Sequence, residues 1–90
     1  STATEATYAV TLTARHAAAE AARIALVDTL TDNGYPVGDT HMEARGEDLT
    51  DITATLTRES VVAAELDRVV ATLRARPEIR SAAWGSSVRE

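Results

Sequence analysis

Asp39, His41 and Glu43 occupy alternate positions in this 90-residue chain, the densest local spacing of side chains that could do chemistry. On a strand, alternate residues share one face. With Glu47, Asp48 and Asp51 in the adjoining loop they form an oxygen-rich set of the kind that could hold a hard cation such as Mg²⁺, which prefers oxygen ligands and keeps several waters. The spacing fits neither an EF-hand nor a zinc motif. A solvated edge strand, guarded by charge against pairing with other chains, accounts for the same residues, and no metal site is assigned. His16, between Arg15 and a run of alanines, is expected to start a helix in an exposed position. No serine or threonine stands with a histidine and a carboxylate as a nucleophilic triad would require. No catalytic residue and no cofactor is therefore assigned, and the chain is expected not to be an enzyme. Cysteine is absent, which excludes disulfides, thiolate metal sites and cysteine nucleophiles.

The charge balance removes another class of function. The net charge is −5 and the nine basic residues, all arginine, are scattered along the chain. Nucleic-acid affinity comes largely from clustered positive charge that releases counterions, so nucleic acid is not an expected partner. No apolar run approaches the roughly 20 residues needed to cross a bilayer. The length suits one domain over residues 1–90. The chain opens STATEATY without a methionine, and the expectation is a soluble piece excised from a longer protein.

The elements that would position these residues follow from periodicity. Ala6, Tyr8, Val10 and Leu12 alternate with Thr7, Ala9, Thr11 and Thr13, the pattern of a strand with one buried face. From about Arg15 the spacing turns helical, with Ala17, Ala21, Ile24, Val27 or Asp28, and Leu30 or Thr31 on the expected apolar stripe and Ala22 and Leu26 widening it. Asn33-Gly34 and then Pro36 close this helix. Residues 37–46 alternate weakly and read as an edge strand. Ile52, Ala54 and Leu56, interleaved with Thr53, Thr55 and Thr57, give the most regular strand. Ser60 is the expected N-cap of a second helix whose stripe is Val62, Leu66, Val69, Val70 and Leu73. Pro77 ends it, and Ile79 to about Val88 is a final strand with Ala82, Trp84, Ser86 and Val88 on one parity.

The order strand, helix, strand, strand, helix, strand predicts an α+β, ferredoxin-like βαββαβ fold: a four-stranded antiparallel sheet of order 4-1-3-2 with two helices on one face. Helices built of Ala, Val and Leu leave space over such a sheet. Trp84, the only tryptophan, is expected to fill it as a core wedge, since burying an aromatic removes about 150–250 Å² from water. The opposite face would carry Thr7, Ala9, Thr11, Thr53, Thr55, Ser81 and Ala83. These are small and uncharged where solvated sheet faces usually carry charge, and they lack the aromatic platforms that stack bases. Thr11, Thr53, Thr55 and Ser81 are the candidate interaction face, with a second copy, the protein's own membrane portion or a protein partner as the occupant.

The segment Leu73-Arg74-Ala75-Arg76-Pro77-Glu78-Ile79-Arg80-Ser81-Ala82-Ala83-Trp84 resembles the C-terminal end of MgtC-type proteins, the MgtC/SapB family of bacterial inner-membrane proteins. The strand YAVTLTA, the helix ending at Gly34 and the strand ITATLTR are similar to that family's C-terminal domain as well. The resemblance implies an ACT-like regulatory or interaction domain on the cytoplasmic face of the bacterial inner membrane, following a transmembrane bundle, in proteins linked to growth in low magnesium and to intracellular survival and virulence. The alternative is an ACT-type sensor of a small ligand such as an amino acid, attached to an enzyme or transporter. ACT domains commonly bind amino acids at a glycine between the first strand and the first helix. This chain has Thr13-Ala14-Arg15-His16-Ala17 there, without glycine, which argues against amino-acid binding.

Overall fold

In the computed structural model, which describes residues 5–89, the alternating segments are strands and the helical ones helices. β1 (Glu5–Arg15) passes through a single 3-10 turn (His16–Ala18) into α1 (Ala19–Asp32). β2 (Val37–Arg45) and β3 (Leu49–Leu56) form a hairpin, and α2 (Ala63–Arg74) returns the chain to β4 (Ile79–Arg89). The sheet order is β2-β3-β1-β4 and every neighbouring pair is antiparallel. This is the expected α+β architecture with the expected strand order.

Parity decides which face is covered. Val10, Leu12 and Ala14 of β1 lie opposite Ala54, Ile52 and Thr50 of β3, and all six are buried under the helices. Leu66, Val69, Val70 and Leu73 of α2 are buried as the helical stripe predicts, whereas Val62, the first member of that expected stripe, precedes the helix and is exposed. The β4 parity breaks once. Thr13 pairs with Ser81 but Ala14 pairs with Ile79, so Arg80 is the extra residue of a bulge. The bulge brings Ile79 onto the same covered face as Ala82, although their numbers differ in parity.

Three expectations about packing are corrected. Trp84 is only partly buried; its ring packs against the margin of the core, and its indole Nε1 donates to Asp67 Oδ1 at 2.8 Å. The largest fully buried side chain is Tyr35. In α1 the buried residues are Ala19, Ala22, Ala25, Leu26 and Leu30, while Ala17 and Ala21 are exposed and Ile24 is 47% exposed. An alanine-rich helix offers several faces of nearly equal hydrophobicity, so the tertiary fit selects the phase. Ser60 does not cap α2. That position belongs to Val62, which is 51% exposed and offers no side-chain cap.

Tyr35 explains how α2 starts without a polar cap residue. Gly34, at φ +82°, ends α1 in the left-handed conformation that favours glycine. Its N–H donates to Thr31 O at 3.0 Å and that of Tyr35 to Leu30 O at 2.9 Å, the paired bonds of a Schellman motif. The motif turns Tyr35 back over the core beside buried Leu30. There the Tyr35 hydroxyl accepts the Val62 N–H at 3.0 Å and donates to Glu65 Oε1 at 2.5 Å. Ordinarily a glutamate three residues into a helix reaches back to the cap residue's N–H; here a phenol bridges the two. The Arg58 guanidinium lies 4.5 Å from the Tyr35 ring centroid and covers it.

β1 and β4 also run on past the sheet. β3 pairs with β1 only from Ala9 to Arg15, whereas β4 pairs from Glu5 to Ala14. Residues 5–8 and 86–89 thus form a two-stranded ribbon beyond the end of β3. At the other end, Arg74 Nε donates to Ala82 O at 2.9 Å and ties the end of α2 to β4.

Candidate functional site

The sheet face away from the helices gathers the small polar residues into cross-strand rows. One row runs His41, Thr53, Thr11, Ala83; its neighbours run Asp39, Thr55, Ala9, Gly85 and Glu43, Asp51, Thr13, Ser81. Thr11 and Thr53 touch, Oγ1 to Oγ1 at 3.2 Å. Thr55 lies one row from that pair, and Ser81 lies across β1 from Thr53's row neighbour Asp51. The four candidate residues therefore share one surface, whose middle on β1, β3 and β4 is hydroxyl, methyl and backbone. Within these rows, carboxylates stand on β2, at Asp39 and Glu43, and at Asp51 of β3.

Asp51 is the one carboxylate within β3, and it is fully engaged. Its Oδ1 accepts the Thr13 hydroxyl at 2.6 Å and its Oδ2 the Arg45 Nε at 2.8 Å. Those bonds, Thr13's first and Arg45's second, hold its pKa below the ordinary carboxylate value. The pair with Arg45 balances the charge of Asp51 at the margin of the face.

Asp39, His41 and Glu43 are exposed on the open side of β2, in register with Thr55, Thr53 and Asp51. Among the described residues no three His, Asp or Glu side chains converge so as to hold a metal ion. Glu47 and Asp48 lie instead in the β2–β3 turn, where Gly46 takes φ +66°. They border an open pocket of about 460 Å³ with Arg15, His16, Ala17, Leu49 and Arg80. His16 is exposed, as expected, and also anchored: its N–H donates to Asp48 O at 2.7 Å and its Nδ1 lies 3.0 Å from Thr50 Oγ1. No nucleophile is placed with a base and an orienting acid in these contacts.

The aromatic residues at the far end were not read from the sequence as a group. Tyr8 and Trp84 are partly buried, with ring centroids 6.5 Å apart and planes tilted by 43°. Both lie on the helix-covered parity where β1 and β4 leave the sheet. The signal was present in the alternation, since Tyr8 and Trp84 fall on the buried parity of two strands that must pair.

A family model described as the MGTC/SAPB C-terminal domain matches residues 8–84. Among solved structures, the solution structure of the C-terminal domain of the MgtC protein from Mycobacterium tuberculosis is similar, with a TM-score of 0.79 and 24% identity. The alignment covers 92% of this chain and 88% of that one, and it shows a shared fold. No curated protein sequence matches the chain significantly.

Proposed function

Because the chain belongs to the MgtC/SapB C-terminal domain family, we propose that it is a non-enzymatic regulatory and interaction domain of an MgtC-like membrane protein. It works at the cytoplasmic face of the bacterial inner membrane, in adaptation to magnesium limitation and in virulence. No described helix is long and apolar enough to cross a membrane, so the membrane-spanning part lies elsewhere in such a protein. The observation that carries this reading is the open sheet face. A surface of threonine, serine and alanine, on which Thr11 and Ser81 are exposed and Thr53 and Thr55 half-buried, is suited to docking a protein partner through shape and hydroxyl hydrogen bonds.

The test is the double substitution Thr11→Lys and Thr55→Lys in the full-length protein. Both side chains point away from the core, so the fold should survive, and circular dichroism checks that it does. Growth at limiting magnesium and survival in phagocytes should fall while the protein stays folded and membrane-associated. Unchanged growth and survival would refute the proposal.

One observation favours a second reading, ACT-type sensing of a small ligand. The pocket lined by Arg15, His16 and Arg80 sits where β1 meets α1 and presents the Arg15 and Arg80 guanidinium groups beside Glu47 and Asp48, a pairing of charges that suits a zwitterion such as an amino acid. Titrating amino acids while following the amide resonances of His16, Ala17 and Asp48 separates the readings: saturable shifts there favour sensing, and flat titrations favour docking.

A further inference from the structure

The ribbon formed by the start of β1 and the end of β4 has a face that the other described residues cover only in part. Ala6 pairs with Val88, Tyr8 with Ser86 and Val10 with Trp84, so Ala6, Tyr8, Trp84, Ser86 and Val88 project on the helix side. Val10 is sealed under the helices, Tyr8 and Trp84 are partly buried, and Val88 is 65% exposed. Cover thus fades along the ribbon while apolar character continues. β3 ends and α2 begins at this same end of the sheet, which places exposed Val62 at the adjoining end of the helix layer. No charged residue occurs from Ala6 to Ala14 or from Ser81 to Val88.

Chain connectivity says what covers this end. In a domain defined as C-terminal within its family, the rest of the protein joins through the start of β1, and β1 starts at the ribbon's tip. The surface around that junction meets the preceding portion of the same polypeptide at the high effective concentration that a covalent tether imposes. Charge favours the same occupant. Cytoplasmic loops of membrane proteins carry an excess of Lys and Arg, whereas this chain carries a net charge of −5. That acidity disfavours the anionic lipid surface as the occupant.

Resting on the membrane-protein reading above, we infer that the ribbon end, with Tyr8, Trp84 and Val88 at its centre and Val62 beside it, seats the domain against the cytoplasmic loops of its own membrane-spanning portion. Partly covered aromatics flanked by exposed valines become the buried middle of that contact. The open threonine face on the other side of the sheet remains free for a separate partner.

The chain has no cysteine, which makes single-site labelling clean. In the full-length protein, with any cysteines outside this chain replaced, Val88→Cys and, separately, Glu43→Cys are labelled with bimane. Both side chains are exposed in the domain, so neither change threatens the fold. The protein is reconstituted in phosphatidylethanolamine/phosphatidylglycerol vesicles, with and without nitroxide-labelled lipid. Iodide quenching at position 88 should be several-fold weaker than at position 43, its emission should be blue-shifted, and nitroxide lipid should quench neither. A photo-crosslinker at position 88 should react within the same polypeptide, with loops of the membrane portion. Equal iodide quenching at the two positions, strong nitroxide quenching at 88, or crosslinks between two copies would each overturn the inference. A full-length protein that fails to enter the membrane fraction would sink the membrane-protein reading instead, so the two failures are distinguishable.

Discussion

Replacing Tyr35 by Phe removes one oxygen from the interior and leaves the ring in place. That oxygen accepts the Val62 N–H and donates to the Glu65 carboxylate, so one deletion breaks both bonds that start α2. A hydrogen bond to a charged group contributes about 1.5–3 kcal/mol, and loss of an N-terminal cap typically costs about 1 kcal/mol. Because the two bonds share an atom, the combined loss should be about 2–3 kcal/mol. In a domain of this size each kcal/mol moves the melting temperature by roughly 4–8 °C, so Tm should fall by roughly 8–24 °C. Trp84→Phe breaks one bond to exposed Asp67 and should cost about 1 kcal/mol or less. Urea unfolding followed by far-ultraviolet circular dichroism reads both variants without depending on the indole, and the m-value should stay constant. Glu65 has one compensating route, reaching the Val62 N–H directly as in an ordinary capping box. The double variant Tyr35→Phe/Glu65→Ala closes that route, and the double-mutant cycle should give a coupling of about 1 kcal/mol or more. If Trp84→Phe costs more than Tyr35→Phe, or if Tyr35→Phe costs less than about 0.5 kcal/mol, the bridging role is wrong.

The phase of α1 is tested by Leu26→Ala and Ile24→Ala: the first empties a fully buried position and should cost about 2–5 kcal/mol, the second lies on the exposed face and should stay near 0.5 kcal/mol by urea unfolding. Asp51 has its folded-state pKa depressed by Thr13 and Arg45, so its stabilisation is fully present above its ordinary value of 3.8 and is lost as pH falls through the lower folded value. Asp51→Asn should therefore flatten the acid side of the stability profile, seen as a urea midpoint that changes less between neutral pH and the acid end than in the parent; an unchanged acid limb would contradict the assignment.

What could be read from residues alone, and what could not, divides along physical lines. Strands with one covered face announce themselves by alternation, and β1 and β3 do so because Val10, Leu12, Ile52, Ala54 and Leu56 must all meet the helices. α2 was legible because Leu66, Val69, Val70 and Leu73 form one large apolar stripe with charge opposite. α1 was not, since alanine on several faces carries no phase. Tyr35 sits between Asn33-Gly34 and Pro36, where the helix-stop signals read as loop; the Schellman turn returns it to the core, and a large apolar residue directly after a capping glycine is the cue for that. Trp84 was placed on the correct face but too deep, because β4 is an edge strand whose cover fades along its length. The grouping of Thr11, Thr53, Thr55 and Ser81 followed from parity, whereas the Thr13-Asp51-Arg45 chain depends on cross-strand register that no local pattern encodes.

The order of the strands has a bearing on how such a domain is made. β1 leaves the ribosome first among the elements, yet its two neighbours in the sheet, β3 and β4, are synthesised later, and β4 last of all. Throughout translation, which proceeds at roughly 5–20 residues per second, the nascent chain holds an apolar strand with at least one unsatisfied side, and only the final segment closes it. Quality control should therefore see the domain as wholly unfinished until that segment emerges, and chains cut short within β4 should be degraded rather than accumulate as partly working forms.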